Sequence, residues 1–364
     1  TLRIYYNNFK KLNMKKKFSI KKRIISEEHK PLVVAEISAN HQNSIKKTFS
    51  LLEKASKANV EAVKFQTFDL NEMTFNLNKK EFLIKNKFKN KKWNSRSLYS
   101  IYKEAQFPWK WHEKVFKKAN SLGLICFSSV FDLNSLKFLE KLKCPAYKIA
   151  SLESLHFPLI EAVVKTNKPV IISTGTLNIK EIDSLVKFLR SIKSKKHIIL
   201  HCVSEYPTSE KNVNLKFLNL LKKRCNCLVG FSDHTPSIGA AISSVSYGAS
   251  LIEKHLKFSE SDKSLDYQFS ITPNEMKKLI YEINNAWQST GCYLKRLTKG
   301  EQLIRRYRRS IYASKNIKKG EKFSKNNIKI IRPGLGLSPN NYKKLIGKTS
   351  SKNFKFGDPI KEKI

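Results

Sequence analysis

The stretch LVVAEI at residues 32–37 is an apolar run broken by a single carboxylate, Glu36. A strand with one face in water alternates apolar and polar residues, whereas this run has apolar residues at successive positions. It therefore predicts a strand that is buried on both faces, as in a parallel sheet covered by helices. The polar residues Ser38, Asn40 and His41 follow closely, which places hydrogen-bonding groups at the carboxyl end of the strand.

Seven further apolar runs of similar length follow along the chain. They are residues 62–68, 124–131, 146–150, 170–173, 198–203, 228–231 and 251–255. Segments with helical spacing of apolar residues separate them, for example 45–58 and 179–192. Eight alternating strand-and-helix units in about 260 residues are what a (β/α)8 TIM barrel in the α/β class requires. A doubly wound sheet is the alternative, but no glycine-rich phosphate loop follows the first run.

The rest of the chain divides into segments that differ in composition and in their pattern of apolar residues. Residues 1–28 are basic without a strong apolar period, which predicts a tail before a barrel domain at 29–294. Residues 295–309 form a charged linker, and residues 310–364 combine short apolar runs with Gly and Pro turns, which predicts a small β-rich domain. Residues 71–107 are too long for a simple loop, so we expect an insertion with some helix near the barrel mouth.

The net charge is strongly positive, since 71 Lys and Arg outnumber 29 Asp and Glu to give +42. A nucleic-acid-binding protein would concentrate this charge beside a recognisable motif. Lys is spread along the whole chain, so we do not expect a nucleic acid partner. No apolar run approaches the roughly 18 residues of a membrane-spanning helix. The six cysteines have no zinc-ligand spacing, which favours reduced thiols and a cytoplasmic protein.

Charged and hydroxyl side chains stand inside or at the ends of these apolar runs. Lys64 and Lys148 each lie within a run, where burial of an unpaired cation is costly. We therefore expect an anionic ligand beside them. His234 and His255 end successive strands, so their imidazoles should be neighbours and suit a divalent transition metal. Four serines at other strand ends add donors suited to a phosphate or carboxylate: Ser129, Ser151, Ser173 and Ser232.

Seven short motifs, in this order, resemble the sialic acid synthase family. They are AEISANH at 35–41, KFQT at 64–67, YKIAS at 147–151, STG at 173–175, YPT at 206–208, SDH at 232–234 and EKH at 253–255. The resemblance extends from residue 31 to residue 364. Residues 312–336 look like the antifreeze-protein-like SAF domain of that family. The resemblance implies a transferase that condenses phosphoenolpyruvate with an N-acetylated amino sugar to give a nine-carbon 2-keto acid and phosphate.

The resemblance also implies roles for individual side chains. His234 and His255 would hold Mn²⁺, Mg²⁺ or Co²⁺. The implied catalytic groups are Glu36, Glu153, Lys64 and Gln66, with Glu36 handling water or a proton. The two substrates would be bound by Lys148, Ser129, Phe131, Ser151, Ser173, Ser204, Tyr206, Ser232, Asp266 and Arg332. Arg332 would come from the SAF domain of a partner subunit, which implies a domain-swapped homodimer.

Details of these motifs are similar to one branch of the family, the pseudaminic acid synthases. They are ISANH at 37–41, where N-acetylneuraminate synthases usually have Gly-Val/Ile-Asn-His, and Ser204, where those enzymes usually have Asn. The implied sugar is 2,4-diacetamido-2,4,6-trideoxy-L-altrose. N-acetylneuraminate or legionaminate synthesis, from N-acetylmannosamine or a related sugar, is the alternative.

A third hypothesis is a non-catalytic barrel that binds carbohydrate or nucleic acid. The chain retains a full set of polar groups at the strand ends: Glu36, Lys64, Lys148, His234 and His255. Each is costly to bury without its ligand, and a retired enzyme would be expected to lose at least one of them. The intact set therefore favours an enzyme.

Overall fold

The computed structural model describes residues 16–85, 92–291 and 296–362. The chain divides into two compact units, and the boundary between them falls after Gly291. Within the described ranges, no helix is both long enough and apolar enough to cross a membrane.

An antiparallel hairpin precedes the barrel strands. It consists of β1 (Phe18–Ile20) and β2 (Arg23–Ile25). The hairpin buries three apolar side chains against the core of the first unit: Phe18, Ile20 and Ile25. The prediction of a tail over residues 1–28 is corrected here for residues 18–25. Strands of three residues are too short to produce a recognisable apolar period among the surrounding lysines.

Eight parallel strands close into a barrel in the first unit. They are β3 (Leu32–Glu36), β4 (Ala62–Thr67), β5 (Ile125–Val130), β6 (Tyr147–Ile149), β7 (Val170–Ser173), β8 (His197–Cys202), β9 (Leu228–Asp233) and β10 (Leu251–His255). Their spatial order follows the chain, and β10 pairs with β3, where His255 lies opposite Glu36. Each strand coincides with one of the eight apolar runs, so the predicted TIM barrel is confirmed.

Helices lie between and after the strands. They are α1 (Ile45–Lys57), α2 (Leu70–Met73), α3 (Leu98–Ala105), α4 (His112–Ser121), α5 (Leu133–Lys141), α6 (Phe157–Lys165), α7 (Ile179–Ser191), α8 (Phe217–Cys225), α9 (Gly239–Ser244) and α10 (Pro273–Thr290). In α1, the buried residues Leu51, Leu52 and Ala55 share one face. A reciprocal capping box between Thr272 and Glu275 begins α10.

The insertion between β4 and α4 contains helix, as the sequence predicted. Ile101 of α3 is buried in a small apolar cluster with Ala39 and Leu265, which belong to the segments that follow β3 and β10. The insertion is thereby packed against the carboxyl ends of barrel strands. Residues 86–91 of this segment lie outside the described ranges.

The second unit combines two short helices with two strands. They are α11 (Lys299–Ile304), β11 (Ser310–Ala313), β12 (Ile328–Ile331) and α12 (Tyr342–Leu345). Strands β11 and β12 are antiparallel, and the unit has an apolar core of its own. Outside these two strands, Ile317 and Phe354 form an isolated bridge.

The cysteines of the described residues carry free thiols and are buried: Cys126, Cys144, Cys202, Cys225 and Cys227. Cys292 lies outside these residues. Burial raises the pKa of the Cys144 thiol to about 12. Such a thiol is protonated at neutral pH and packs as a small apolar side chain.

Candidate active site

A cavity of about 240 Å³ lies at the carboxyl ends of the barrel strands. Each strand, or the turn directly after it, contributes a lining side chain: Ser38, Lys64, Ser129, Lys148, Ser173, Cys202, Ser232 and His255. Trp93 and Tyr102 of the insertion line the cavity as well. Active sites of TIM-barrel enzymes lie at this face because the loops after the strands converge there.

Most of the sequence-predicted site residues line this cavity. They are Glu153, Lys64, Gln66, Lys148, Ser129, Phe131, Ser151, Ser173, Tyr206, Ser232, Asp266, His234 and His255. Glu36 is fully buried and pairs with the lining residue Lys64. Ser204 is not among the lining residues, although its Oγ lies 4.0 Å from Cys202 Sγ. Arg332 belongs to the second unit and is exposed.

Lys64 is the centre of a buried ion cluster. Glu36 lies opposite Lys64 in the register of β3 and β4, and the two side chains form an ion pair. Lys64 Nζ also lies 3.6 Å from Glu253 Oε2 and donates a hydrogen bond to Ser129 Oγ at 3.0 Å. Lys64 is therefore not the unpaired cation that its apolar run indicated, because two carboxyls of the chain lie beside it, and an anionic ligand at Lys64 stays a prediction.

Burial and the neighbouring charges shift the pKa values of this cluster in opposite directions. Burial raises the pKa of Glu36, and attraction to Lys64 offsets only part of the rise. Burial also opposes ionisation of Glu253, but Lys64 and Lys148 outweigh it and lower the pKa of that carboxyl. For Lys64, burial opposes the charge, while Glu253 and Glu36 together raise its pKa. Two neighbouring carboxyls with separated pKa values are suited to different acid and base roles.

Lys148 is the second buried cation of the cavity, and it has fewer partners. Its Nζ donates to the Ile149 carbonyl at 2.9 Å, and no carboxylate of the described residues lies within ion-pair distance. Burial lowers the pKa of Lys148, although Glu253 opposes this shift. Ser173 Oγ is buried and has no hydrogen-bond partner within the described ranges. Lys148 and Ser173 thus offer unused donors, as an anion-binding site requires.

Glu153 lies at the end of a short 3₁₀ helix, Ser151–Glu153, that follows β6. Its Oε2 is buried and has no hydrogen-bond partner in the described part of the chain. Burial raises the pKa of Glu153 to about 7, and attraction to Lys148 partly offsets the rise. A carboxyl with this pKa exchanges protons efficiently near neutral pH.

His234 and His255 meet at the adjacent ends of β9 and β10. Their ring centroids are 5.4 Å apart. His234 Nδ1 lies 3.0 Å from the Val203 carbonyl oxygen, which holds the proton on Nδ1 and leaves a lone pair on Nε2. His255 Nδ1 is buried without a hydrogen-bond partner among the described residues and lies 3.7 Å from Asp266 Oδ2.

This histidine pair fits a divalent metal ion. Burial lowers the pKa of His255 well below its usual range, so the imidazole is neutral, as a metal ligand must be. The described ranges contain no group of three or more His, Cys, Asp or Glu placed to hold a metal. The two imidazoles would therefore leave the other coordination positions to substrate or water, as at open catalytic sites.

Aromatic rings form another part of the cavity wall. The Tyr206 ring lies 4.5 Å from that of His234 and 5.5 Å from that of Trp93. Phe131 packs edge to face on Phe68 at 5.6 Å. Rings of this kind present apolar faces with few polar groups, which suits the carbon skeleton of a small organic substrate.

Glu253 and Cys202 also line the cavity, although neither was a predicted site residue. Ser232 Oγ donates to Glu253 Oε1 at 3.0 Å, and Cys202 Sγ lies 3.6 Å from His234 Nδ1. Glu253 precedes His255 by two positions, so the strand period places both on one face. That spacing is a sequence signal for Glu253. Cys202 has no comparable signal, because cysteine in an apolar run is typical of a core.

A second buried ion pair involves the same strands but does not line the cavity. Lys254 and Asp233 lie opposite each other in the register of β10 and β9, and neither side chain is exposed. Lys254 Nζ lies 3.0 Å from Asp233 Oδ2 and also bonds the Thr235 carbonyl. Thr235 N donates to Asp233 Oδ1 at 2.8 Å. This pair finds its partners within the fold.

A parallel (β/α)8 barrel with lysines, carboxyls and two histidines at its carboxyl-end cavity defines the class of TIM-barrel enzymes with polar substrates. The NeuB family model matches residues 51–295, and the SAF domain model matches residues 308–363. The chain belongs to the NeuB family, which confirms the resemblance to the sialic acid synthases and the small C-terminal SAF domain.

Individual relatives match nearly the whole chain. Pseudaminic acid synthase of Campylobacter jejuni is 37% identical, over 92% of this chain and 96% of the relative. Pseudaminic acid synthase of Helicobacter pylori is 34% identical, over 91% and 96%. Among solved structures, the N-acetylneuraminic acid synthetase of Leptospira borgpetersenii has a TM-score of 0.71 and 26% identity, over 79% of this chain and 95% of that one.

Proposed function

We propose that this protein is a phosphoenolpyruvate-dependent transferase that makes pseudaminic acid. The observation that carries the proposal is the pairing, in one cavity, of unused anion donors at Lys148 and Ser173 with the Lys64 carboxylate cluster. The 37% identity to a pseudaminic acid synthase, against 32% to an N,N'-diacetyllegionaminic acid synthase over the same share of the chain, supports this sugar over the legionaminate precursor.

Phosphoenolpyruvate binds on the Lys148 side of the cavity in this proposal. Its phosphate and carboxylate accept hydrogen bonds from the lysine and from the hydroxyl groups at the strand ends: Ser129, Ser151, Ser173 and Ser232. Charge-assisted hydrogen bonds of this kind are stronger than neutral ones and fix the orientation of the anion. Lys64 adds positive charge without needing the ligand for its own neutralisation.

The proposed reaction forms one C–C bond and breaks one C–O bond. C3 of phosphoenolpyruvate attacks the aldehyde carbon of the open-chain sugar, and the aldehyde oxygen takes up a proton. Water adds to the cationic C2 and loses a proton, and the bond between C2 and the phosphate oxygen then breaks as the remaining C2 hydroxyl gives its proton to the departing phosphate and becomes the keto group. Glu36 is the proposed acceptor of the water proton, because burial makes its ionised form a stronger base. Glu153 is the proposed second proton-exchanging group.

His234 and His255 are the proposed ligands of a Mn²⁺, Mg²⁺ or Co²⁺ ion. The lowered pKa of His255 and its unpartnered Nδ1 support this assignment. A bound cation would supply Lewis-acid polarisation of the sugar aldehyde and would hold both substrates in one orientation.

We propose that the amino sugar occupies the side of the cavity lined by Gln66, Tyr206 and Asp266. Ser204 and Phe131 are proposed as further contacts. Arg332, supplied by the SAF domain of a second copy, is the proposed contact of an acetamido group, which makes the enzyme a domain-swapped homodimer. Phosphoenolpyruvate is a cytoplasmic metabolite, so a cytoplasmic location accompanies this proposal.

The test is a panel of amino sugars with mass detection of the product. The protein is incubated with phosphoenolpyruvate, Mn²⁺ and either 2,4-diacetamido-2,4,6-trideoxy-L-altrose, N-acetylmannosamine or the legionaminate precursor. Phosphate release and a nine-carbon 2-keto acid are expected with the first sugar only. Turnover of another sugar in its place would overturn the pseudaminate assignment, and no turnover with any sugar would overturn the synthase.

Matched variants test the proposed ligands. His255→Ala should abolish turnover and weaken Mn²⁺ binding in calorimetry, whereas His29→Ala, at an exposed position, should change neither.

Arg332→Ala should raise the KM of the sugar and leave that of phosphoenolpyruvate unchanged. If the Arg332 side chain comes from a second copy, a mixture of the Arg332→Ala and Lys64→Met proteins should recover part of the activity.

A further inference from the structure

Ser38 has a backbone conformation that is unusual for its position. Its φ is +42°, in the left-handed region, where a residue with a Cβ costs about 1 kcal/mol more than glycine. The other non-glycine residues with positive φ in the described part of the chain are all exposed, and most are Asn or Lys. Ser38 is only 6% exposed and lines the cavity. Backbone strain of this kind clusters at functional sites.

The surroundings of Ser38 enforce this conformation. Its backbone N–H donates to Glu36 Oε1 at 2.8 Å, and the preceding residue, Ile37, donates its N–H to the Lys64 carbonyl at 3.0 Å. Two residues later, Asn40 Nδ2 donates to the Leu256 carbonyl at 2.9 Å. The chain is therefore held on both sides of Ser38, and the strain cannot relax by a local movement.

The turn at Ser38 contacts two polar groups of the cavity that belong to distant segments. Ser38 Oγ accepts a hydrogen bond from Gln66 Nε2 at 3.0 Å. Ala39, next in the chain, directs its N–H at Asp266 Oδ2 over 3.5 Å. The Ser38 hydroxyl thus holds an amide on β4, and the backbone N–H of the next residue, whose direction depends on the Ser38 conformation, faces a carboxylate of the loop after β10.

We propose that Ser38 is a positioning residue that determines which amino sugar the cavity accepts. The proposal rests on the proposed function and adds to it the device that orients Gln66 and Asp266. With its NH₂ group bound to Ser38, Gln66 presents its carbonyl oxygen as an acceptor, and Asp266 presents a second acceptor. Two fixed acceptors recognise the N–H or O–H groups of an acetamido sugar, and an oriented pair discriminates between sugars that place those groups differently.

The choice of serine over glycine follows from this role. Glycine would remove the backbone strain but would leave Gln66 Nε2 without its hydrogen-bond partner. Alanine would keep the strain and lose the hydroxyl. Ser38→Gly and Ser38→Ala therefore separate the conformational effect from the hydrogen-bonding effect, since both lack the hydroxyl and only one retains the Cβ.

The experiment compares both variants with the wild-type protein on the sugar panel. We expect both to raise the KM of the preferred sugar about tenfold and to narrow the ratio of kcat/KM between that sugar and N-acetylmannosamine by a similar factor. The KM of phosphoenolpyruvate should change less than about twofold, because its proposed donors, Lys148 and Ser173, are unchanged in both variants. Ser38→Gly should have a higher melting temperature than Ser38→Ala. Lys193→Gly, at an exposed position with φ +53°, relieves strain outside the cavity and should leave every kinetic constant unchanged.

The outcomes separate this inference from the proposed function. If the wild-type protein turns over no sugar, both fail. If it does, and Ser38→Gly keeps wild-type sugar KM and selectivity, only the role of Ser38 is overturned. An equal rise in the KM of both substrates would also overturn it, because that pattern indicates a general disturbance of the cavity. A melting shift induced by phosphoenolpyruvate in each variant verifies that the fold is intact.

Discussion

Lys64 and Lys254 are both buried lysines on barrel strands, yet their surroundings differ. Lys254 lies outside the cavity and is matched by one carboxylate, Asp233, and by the Thr235 carbonyl. Lys64 faces the cavity and lies between two carboxylates, Glu36 and Glu253. In the first arrangement, one carboxylate matches one lysine. In the second, two carboxylates share one lysine beside a cavity that is large enough for a ligand.

The difference shows how one barrel serves two purposes. Successive residues of a strand point to opposite faces, so β10 alone carries Glu253 and His255 toward the cavity and Lys254 away from it. Buried polar atoms without partners in the described part of the chain include His255 Nδ1 and Ser173 Oγ, both on cavity-lining residues. Unpartnered atoms are frequent on cavity-lining residues but not confined to them, since Ser250, Gln268 and Tyr312 also carry one.

The largest effect is expected from Lys64→Met. This change leaves Glu36 and Glu253 facing each other without a cation and removes a charge from the proposed substrate site. We expect kcat/KM to fall about 10⁴-fold, equal to about 5 kcal/mol of transition-state stabilisation. Steady-state phosphate release measures the loss, and circular dichroism checks the fold. A loss of less than about tenfold would remove Lys64 from the catalytic set.

Lys254→Met tests the other member of the comparison. It leaves Asp233 buried and unpaired, which should lower the free energy of unfolding by about 3 to 4 kcal/mol. Urea denaturation of the full chain measures this. The double variant Asp233→Leu/Lys254→Met should recover most of the loss, because neither charge then remains buried. If the double variant is as unstable as the single one, packing rather than charge explains the effect.

Glu153→Gln should change how stability depends on pH. The folded-state pKa of Glu153, about 7, lies above the usual 4.5, so between these values the folded protein binds more protons than the unfolded chain. Stability therefore falls as pH rises through this window. The variant should lack the contribution of Glu153 to this slope, so it should be more stable than wild type at pH 7 by about 1 to 2 kcal/mol and equally stable near pH 4.

Urea denaturation at pH 4, 5.5 and 7 measures the effect of Glu153→Gln. Glu161→Gln, on α6, is the control and should keep the wild-type pH dependence, because Glu153 is unchanged. A constant difference between the Glu153 variant and wild type across the three pH values would contradict the assignment.

The smallest effect is expected from Lys165→Met. Lys165 pairs with Glu161 at 2.7 Å on one face of α6, but the two side chains are 73% and 42% exposed. Exposed pairs of this spacing contribute only about 0.3 to 0.5 kcal/mol. The free energy of unfolding, measured by thermal denaturation, should fall by an amount within this range. The kcat should not change. A loss comparable to that of Lys254→Met would break the distinction between buried and exposed pairs.

Much of the barrel could be predicted because a strand that is buried on both faces appears in the sequence as a continuous apolar run. Strands β7 (Val170–Ser173) and β10 (Leu251–His255) coincide with their apolar runs at both ends. The hairpin at Phe18–Ile20 and Arg23–Ile25 was not predicted, because its strands are too short for a pattern. Most of the site residues could be named as polar groups at strand ends, but Glu253 was not chosen.

The sequence by itself determined that eight strands are buried on both faces and that lysines, serines, carboxyls and histidines stand at their carboxyl ends. Only the tertiary structure decided which of these groups neutralise one another. Glu36 and Glu253 are distant in the chain and reach Lys64 because the barrel closes between β10 and β3. Charge state depends on distance and burial in three dimensions. The sequence therefore identifies the groups, and the closed barrel sets their protonation and their order.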